Sequence, residues 1–127
     1  HYPLRRQRQM CIRDRFDGWG AVVNEALQAG MRVLCSTACG AASLLDGRQR
    51  GGSFDPDRPE SLRRALREWL DKGRLSPAER NAIAAWAEQT ISGAAAARYL
   101  VHIVHYTEGR EENRPAAPWA PLKETAS

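Results

Sequence analysis

Two carboxylates, Asp17 and Glu25, are separated by the seven residues Gly18-Trp19-Gly20-Ala21-Val22-Val23-Asn24. Gly18 and Gly20 flank an aromatic residue and allow a backbone path that side chains would block, so a loop is expected there. Directly after it, Val22, Val23, Ala26 and Leu27 recur at helical spacing, and Gly30 sits where a left-handed C-terminal cap is usual, which predicts a short helix over Ala21–Ala29. The amides of Trp19, Gly20, Ala21 and Val22 at such a helix start lack intrahelical acceptors and suit phosphate or sugar oxygens. Glu25, about one turn into the helix, can accept hydrogen bonds from vicinal ribose hydroxyls, while Asp17 in the loop can reach hydroxyls on a group to be transferred. A dinucleotide fingerprint would need a third glycine where Val23 stands, and no strand is visible before the loop. Taken alone, the motif also fits a turn capped by Asp17 with Glu25 on a solvated helix face.

The elements that must position these residues follow in order. Arg32–Cys35 is a compact apolar run two residues after the helix and reads as a buried parallel strand. Ser36–Gly40 is small and polar, Ala41–Leu45 suits one or two helical turns, Asp46–Gly52 is turn-rich, and Ser53-Phe54 is a brief strand. After the breakers Asp55–Pro59, Leu62, Leu66, Trp69 and Leu70 form the apolar stripe of an amphipathic helix ending at Gly73. Ser76-Pro77-Ala78-Glu79 combines an N-cap serine, a proline at the first helical position and a capping-box glutamate; Ile83, Trp86 and Ala87 supply the apolar face of that helix. A further helix starts near Ser92, with Ala96, Tyr99, Leu100, Ile103 and Tyr106 or Val104 as its expected buried stripe. Pro115, Pro118 and Pro121 around Trp119 suit an extended strap over residues 109–127. Loop, helix and strand in this rhythm give an α/β fold that becomes helix-rich toward the C-terminus.

The 127 residues suffice for one domain, and no apolar run approaches the roughly 18 residues that span a bilayer. The formal charge of +4 points to nucleic acid only until it is located. Arg5, Arg6, Arg8, Arg13 and Arg15, with Asp14 the one acid, carry all of the excess, and Phe16–Ser127 is neutral. The string RRQRQMCIRDR lacks periodicity and interleaved aromatics, and it resembles an in-frame translation of a transposase-type sequencing adaptor. Residues 1–15 are therefore expected to be a disordered leader and no nucleic-acid partner is expected; Phe16 is expected to continue a native sequence that extends upstream. Outside the leader only Cys35 and Cys39 remain, which do not make a disulfide scaffold and fit a reducing cytoplasm.

The run DGWGAVVNEALQAGMRVLCSTACGA resembles the C-terminal nucleotide-sugar site of retaining glycosyltransferase family 4, with its acidic-x7-Glu motif followed by a small-residue helix end and a strand. The later elements are similar to the rest of that domain, so the likeness covers roughly Phe16–Leu122. The resemblance implies a partial Rossmann-like C-terminal domain of a GT-B glycosyltransferase over residues 16–108. The enzyme implied is a hexosyltransferase that moves a sugar from a UDP- or GDP-linked donor to a glycan or lipid-linked acceptor with retention. Envelope or exported polysaccharide synthesis is the implied setting, in the cytoplasm at the inner face of the membrane, with peripheral membrane contact through an N-terminal domain. By the family pattern Asp17 and Glu25 are the catalytic pair, Asp17 on the donor sugar and Glu25 on the ribose; Trp19, Gly20, Ala21 and Val22 complete the donor site. A basic pair on the diphosphate is expected upstream of Phe16, so the fragment alone is expected to be inactive. Family members more often carry glutamate at the first acid, and aspartate is one methylene shorter. No cofactor or metal is expected.

Other features carry less. Cys35-x3-Cys39 with His102-x2-His105 is poorly spaced for zinc. Trp69 and Trp86 sit on amphipathic faces and are expected to be buried rather than to form a sugar platform. Arg63, Arg64 and Arg67 are balanced by Glu60 and Glu68 on a solvated face. A non-enzymatic α/β or helical interaction domain is the alternative reading.

Overall fold

A computed structural model describes residues 19–120. Residues 1–15, expected to be a leader, Asp17 and the last seven residues of the expected strap lie outside the described residues. The elements are α1 (Ala21–Gln28), β1 (Val33–Ser36), a 3-10 helix η1 (Gly40–Leu44), β2 (Gly51–Phe54), α2 (Pro59–Asp71), α3 (Pro77–Thr90) and α4 (Gly93–Thr107). The chain divides into two compact units between Ala87 and Glu88, inside α3, a boundary that the hydrophobic pattern does not announce.

The first unit is α/β. β1 and β2 pair in parallel with Val33 opposite Gly51 and Ser36 opposite Phe54, which requires the crossover that η1 and its following turn supply. Helix α1 ends as expected at Gly30, whose φ of 70° lets the Gly30 amide bond the Leu27 carbonyl and the Met31 amide bond the Ala26 carbonyl. Val23 and Leu27 of α1, Cys35 of β1, Leu44 of η1, Phe54 of β2 and Ile83 of α3 are buried and form the core. The expected capping box also forms: the Glu79 amide donates to Ser76 Oγ at 3.2 Å, and the Ser76 amide donates to Glu79 Oε2 at 2.6 Å. The amide and hydroxyl of Ser76 hold the Glu79 carboxyl below the usual carboxylate range.

β2 begins two residues earlier than its brief apolar end suggests, at two glycines. A Cβ on Gly51, whose φ is 128°, would lie 1.7 Å from the Val33 carbonyl oxygen, and one on Gly52 would lie 3.3 Å from Trp69 Nε1. At Gly51 the β1 backbone excludes a side chain, and at Gly52 one would press on the α2 indole, constraints invisible to a count of β-formers. The indole of Trp69 is half-buried and flanked by cations, Arg32 Cζ at 4.6 Å and Lys72 Nζ at 4.0 Å from its centroid. Trp86 is likewise half-buried beneath Arg50, 3.9 Å away. Both rings therefore spend a face on the protein's own cations.

The turn between η1 and β2 is organised by Asp46. Its Oδ1 accepts from the Arg48 and Arg50 amides at 3.0 Å each, and its Oδ2 lies 3.4 Å from the Arg50 guanidinium. Arg50 Nε donates in turn to the Leu44 carbonyl at 2.8 Å. Partial burial pushes the Asp46 carboxyl up, but the two amides and the Arg50 charge outweigh it and leave the pKa below its ordinary value.

Two expected stripes are corrected. On α2 the half-buried line is Ser61, Leu62, Ala65 and Trp69, while Leu66 and Leu70 are exposed; the sheet has two strands among the described residues, and α2 meets β2 where Gly52 lies against the Trp69 indole. In the second unit, residues 88–127, α4 starts at Ser92, whose hydroxyl accepts from the Ala95 amide. Its inward line is Ala95, Tyr99 and Ile103, spaced by four; Ala96 is exposed and Leu100 is 62% exposed. The element packed on α4 in this unit is the strap, which meets it at Tyr99: the Tyr99 and Trp119 rings stand edge to face at 6.2 Å, and Tyr99 Oη donates to the Pro115 carbonyl.

Two outcomes follow for stability. Gly51→Ala is expected to cost at least about 3 kcal/mol and Gly47→Ala, at φ 69° with open space around it, about 1 kcal/mol, both read from urea midpoints. Because the folded pKa of Asp46 is depressed, its contribution is present above the ordinary aspartate pKa of about 3.9 and is lost as pH falls through the folded value. Asp46→Asn should therefore lower the midpoint at pH 7, and the gap from wild type should narrow as the pH drops below about 3.9.

Candidate functional site

The site grows from the entry into α1. Its N-cap is Gly20 in a left-handed conformation, φ 84° and ψ 63°, without a side-chain cap. The carbonyl of the preceding Trp19 is turned toward the corner between β1 and η1, where it accepts from the Ala41 amide at 2.7 Å and the Cys39 thiol at 3.1 Å. The same corner is tightened by the Ser36 hydroxyl, which accepts from the Ala38 amide, and by the Cys39 amide, which bonds the Ser36 carbonyl. Strand β1 thus fixes the corner, and the corner fixes where α1 begins.

Five of the expected site residues lie at this helix start. Trp19 is 39% exposed, and its indole N–H donates to Asn24 Oδ1 at 3.1 Å, so the ring lies along the first turn of α1. Gly20 is buried beneath it. Ala21 is exposed and Val22 half-buried; among the described residues their amides have no acceptor, as the start of a helix with no side-chain cap requires. Glu25 is also exposed, and at four residues' spacing it shares a face with Ala21. Asp17 lies outside the described residues, so the carboxylate pair is represented by Glu25. Chemically, the arrangement offers amide donors and the positive end of a helix dipole beside one solvent-facing carboxylate, a combination that suits an anion bearing hydroxyl groups.

Three residues of this arrangement were not legible as site residues. Asn24 orients the indole; its place in the first helical turn, five residues after an exposed tryptophan, is a weak signal. Cys39 and Ala41 hold the Trp19 carbonyl across about twenty residues of sequence, and no local pattern reveals such a bond. Among the described residues no group of three or more histidine, cysteine or acidic side chains is arranged to hold a metal. Cys35 and Cys39 are buried in the first unit and not joined in a disulfide, whereas His102 and His105 lie in the second, facing Glu111 at 2.8 and 3.9 Å. On α2, Arg63 pairs with Glu60 at 3.7 Å, and Arg64 and Arg67 are exposed, a solvated charged face. Among the described residues no helix is long and apolar enough to cross a membrane.

Comparison with known proteins bears on the first unit above all. The family model described as glycosyl transferases group 1 matches residues 4–89, which takes in α1, both strands, η1, α2 and nearly all of α3, and begins inside the segment read as a leader. No curated protein and no solved structure matches the chain. With more than half of its length matched, across the elements that carry the Trp19–Glu25 helix start, the chain belongs to the glycosyl transferases group 1 family.

Proposed function

We propose that the first unit is the donor-binding part of a retaining glycosyltransferase of family 4, with a GT-B architecture completed by sequence upstream of Phe16. The observation that carries this reading is the helix start itself: a left-handed glycine N-cap, amides without acceptors among the described residues, and an exposed carboxylate one turn on, within a chain of the group 1 family. Residues 1–15 are read in the same proposal as an adaptor-derived leader, which the native gene sequence before codon 16 tests.

Transfer from a nucleotide sugar builds negative charge on the departing diphosphate and positive charge on the sugar ring. Amides at the start of α1 would hold donor oxygens with no reorganisation, since the helix already aims them. Glu25, free to accept two hydrogen bonds, would bind the ribose hydroxyls, and Asp17 would bind the transferred hexose. No described side chain stands as a nucleophile, in keeping with retention on one face of the sugar. The donor would be UDP- or GDP-linked, and the acceptor a growing glycan or a lipid-linked one for the cell envelope or an exported polysaccharide, assembled on the cytoplasmic side of the membrane.

Calorimetric titration with UDP and GDP tests the reading. Saturable binding of one of them is expected, weakened about ten- to a hundredfold by Glu25→Ala, the loss of hydrogen bonds to a charged acceptor. Absence of saturable binding to either would favour a non-enzymatic interaction domain instead.

A further inference from the structure

Within the donor site, the strand-to-helix corner contributes a thiol whose role goes beyond packing. The Trp19–Gly20 peptide is planar and trans, so its carbonyl and its Gly20 N–H point in opposite directions. The carbonyl is held toward the corner by two donors, the Ala41 amide at 2.7 Å and Cys39 Sγ at 3.1 Å, which turns the Gly20 N–H away from the corner. Glycine at position 20 makes this peptide plane easy to rotate, because both signs of φ are open to it. Rotation would swing the amide inward and remove one donor from the helix start. Cys39 is 5% exposed, and its sulfur is seated on the carbonyl.

We propose that Cys39 is a positioning residue for the nucleotide-sugar donor. Its S–H, with the Ala41 amide, locks the Trp19–Gly20 peptide so that the Gly20 N–H faces the donor's diphosphate or sugar oxygens. This rests on the donor-site reading above. A thiol is a weak donor, so its contribution is a bias between two peptide orientations rather than a binding energy of its own.

The test uses the 127-residue chain with Cys39→Ala and Cys39→Ser, the second retaining a donor of similar size. By calorimetry with UDP and GDP, Cys39→Ala is expected to weaken binding about three- to tenfold, the loss of one neutral hydrogen bond, and Cys39→Ser to stay within about twofold of wild type. Without ligand, the Gly20 amide resonance in 15N–1H spectra is expected to move in Cys39→Ala and to return toward its original place in Cys39→Ser. Melting temperatures of both variants are measured alongside, and binding is compared well below each. An unmoved Gly20 resonance in Cys39→Ala, or equal loss of affinity in both variants, overturns the positioning role. If wild type binds neither nucleotide while the resonance behaves as expected, the lock stands as a structural fact and the donor reading falls, taking the positioning role with it.

Discussion

The Trp19 carbonyl is the point on which the arrangement depends. It belongs to the residue just before the N-cap Gly20, and two donors from a corner about twenty residues away hold it. A carbonyl left unpaired in that place would cost about 1–3 kcal/mol, so the bond is a strong constraint on the path of the chain. Because the peptide that carries it leads directly into the left-handed Gly20, its orientation sets the axis of α1 and the direction of the amides at its start. Whatever the helix start recognises is therefore positioned by β1 and η1.

That corner is itself held from behind. Gly51 can sit beside Val33 because it has no side chain, and the parallel pairing then brings β2 under the Trp69 indole. Asp46 gathers the Arg48 and Arg50 amides and the Arg50 guanidinium, and Arg50 closes on the Leu44 carbonyl at the end of η1. Burial opposes ionisation of Asp46, and the amides and the neighbouring charge reverse it. The η1 segment, which supplies both donors to Trp19 or lies next to them, is thereby fixed at each end without any disulfide or metal among the described residues.

Much of this was legible in the sequence where the cause is local. Gly30 closing α1, the serine-proline-glutamate start of α3 and the serine start of α4 all follow from caps that act over a few residues, and the structure has them. The parallel sense of β1 followed from its apolar character. Illegible were effects of partners distant in sequence, such as the glycines of β2, which lie against a neighbouring carbonyl and an indole; nor does periodicity alone decide that Ala95 rather than Ala96 is buried or that Leu66 and Leu70 are exposed. In the site, Trp19, Gly20, Ala21, Val22 and Glu25 could be named from a loop followed by a helix, whereas Asn24, Cys39 and Ala41 act on Trp19 through bonds that have no sequence periodicity.

The most direct test of the central claim, that the start of α1 grips the activated sugar, is a map of amide chemical-shift changes as a UDP- or GDP-linked hexose is titrated into the chain. The account predicts saturable changes that are largest from Trp19 through Glu25 and in the corner around Cys39 and Ala41. Changes confined to α4 and the strap, with the amides of residues 19–25 unmoved at saturation, would contradict it.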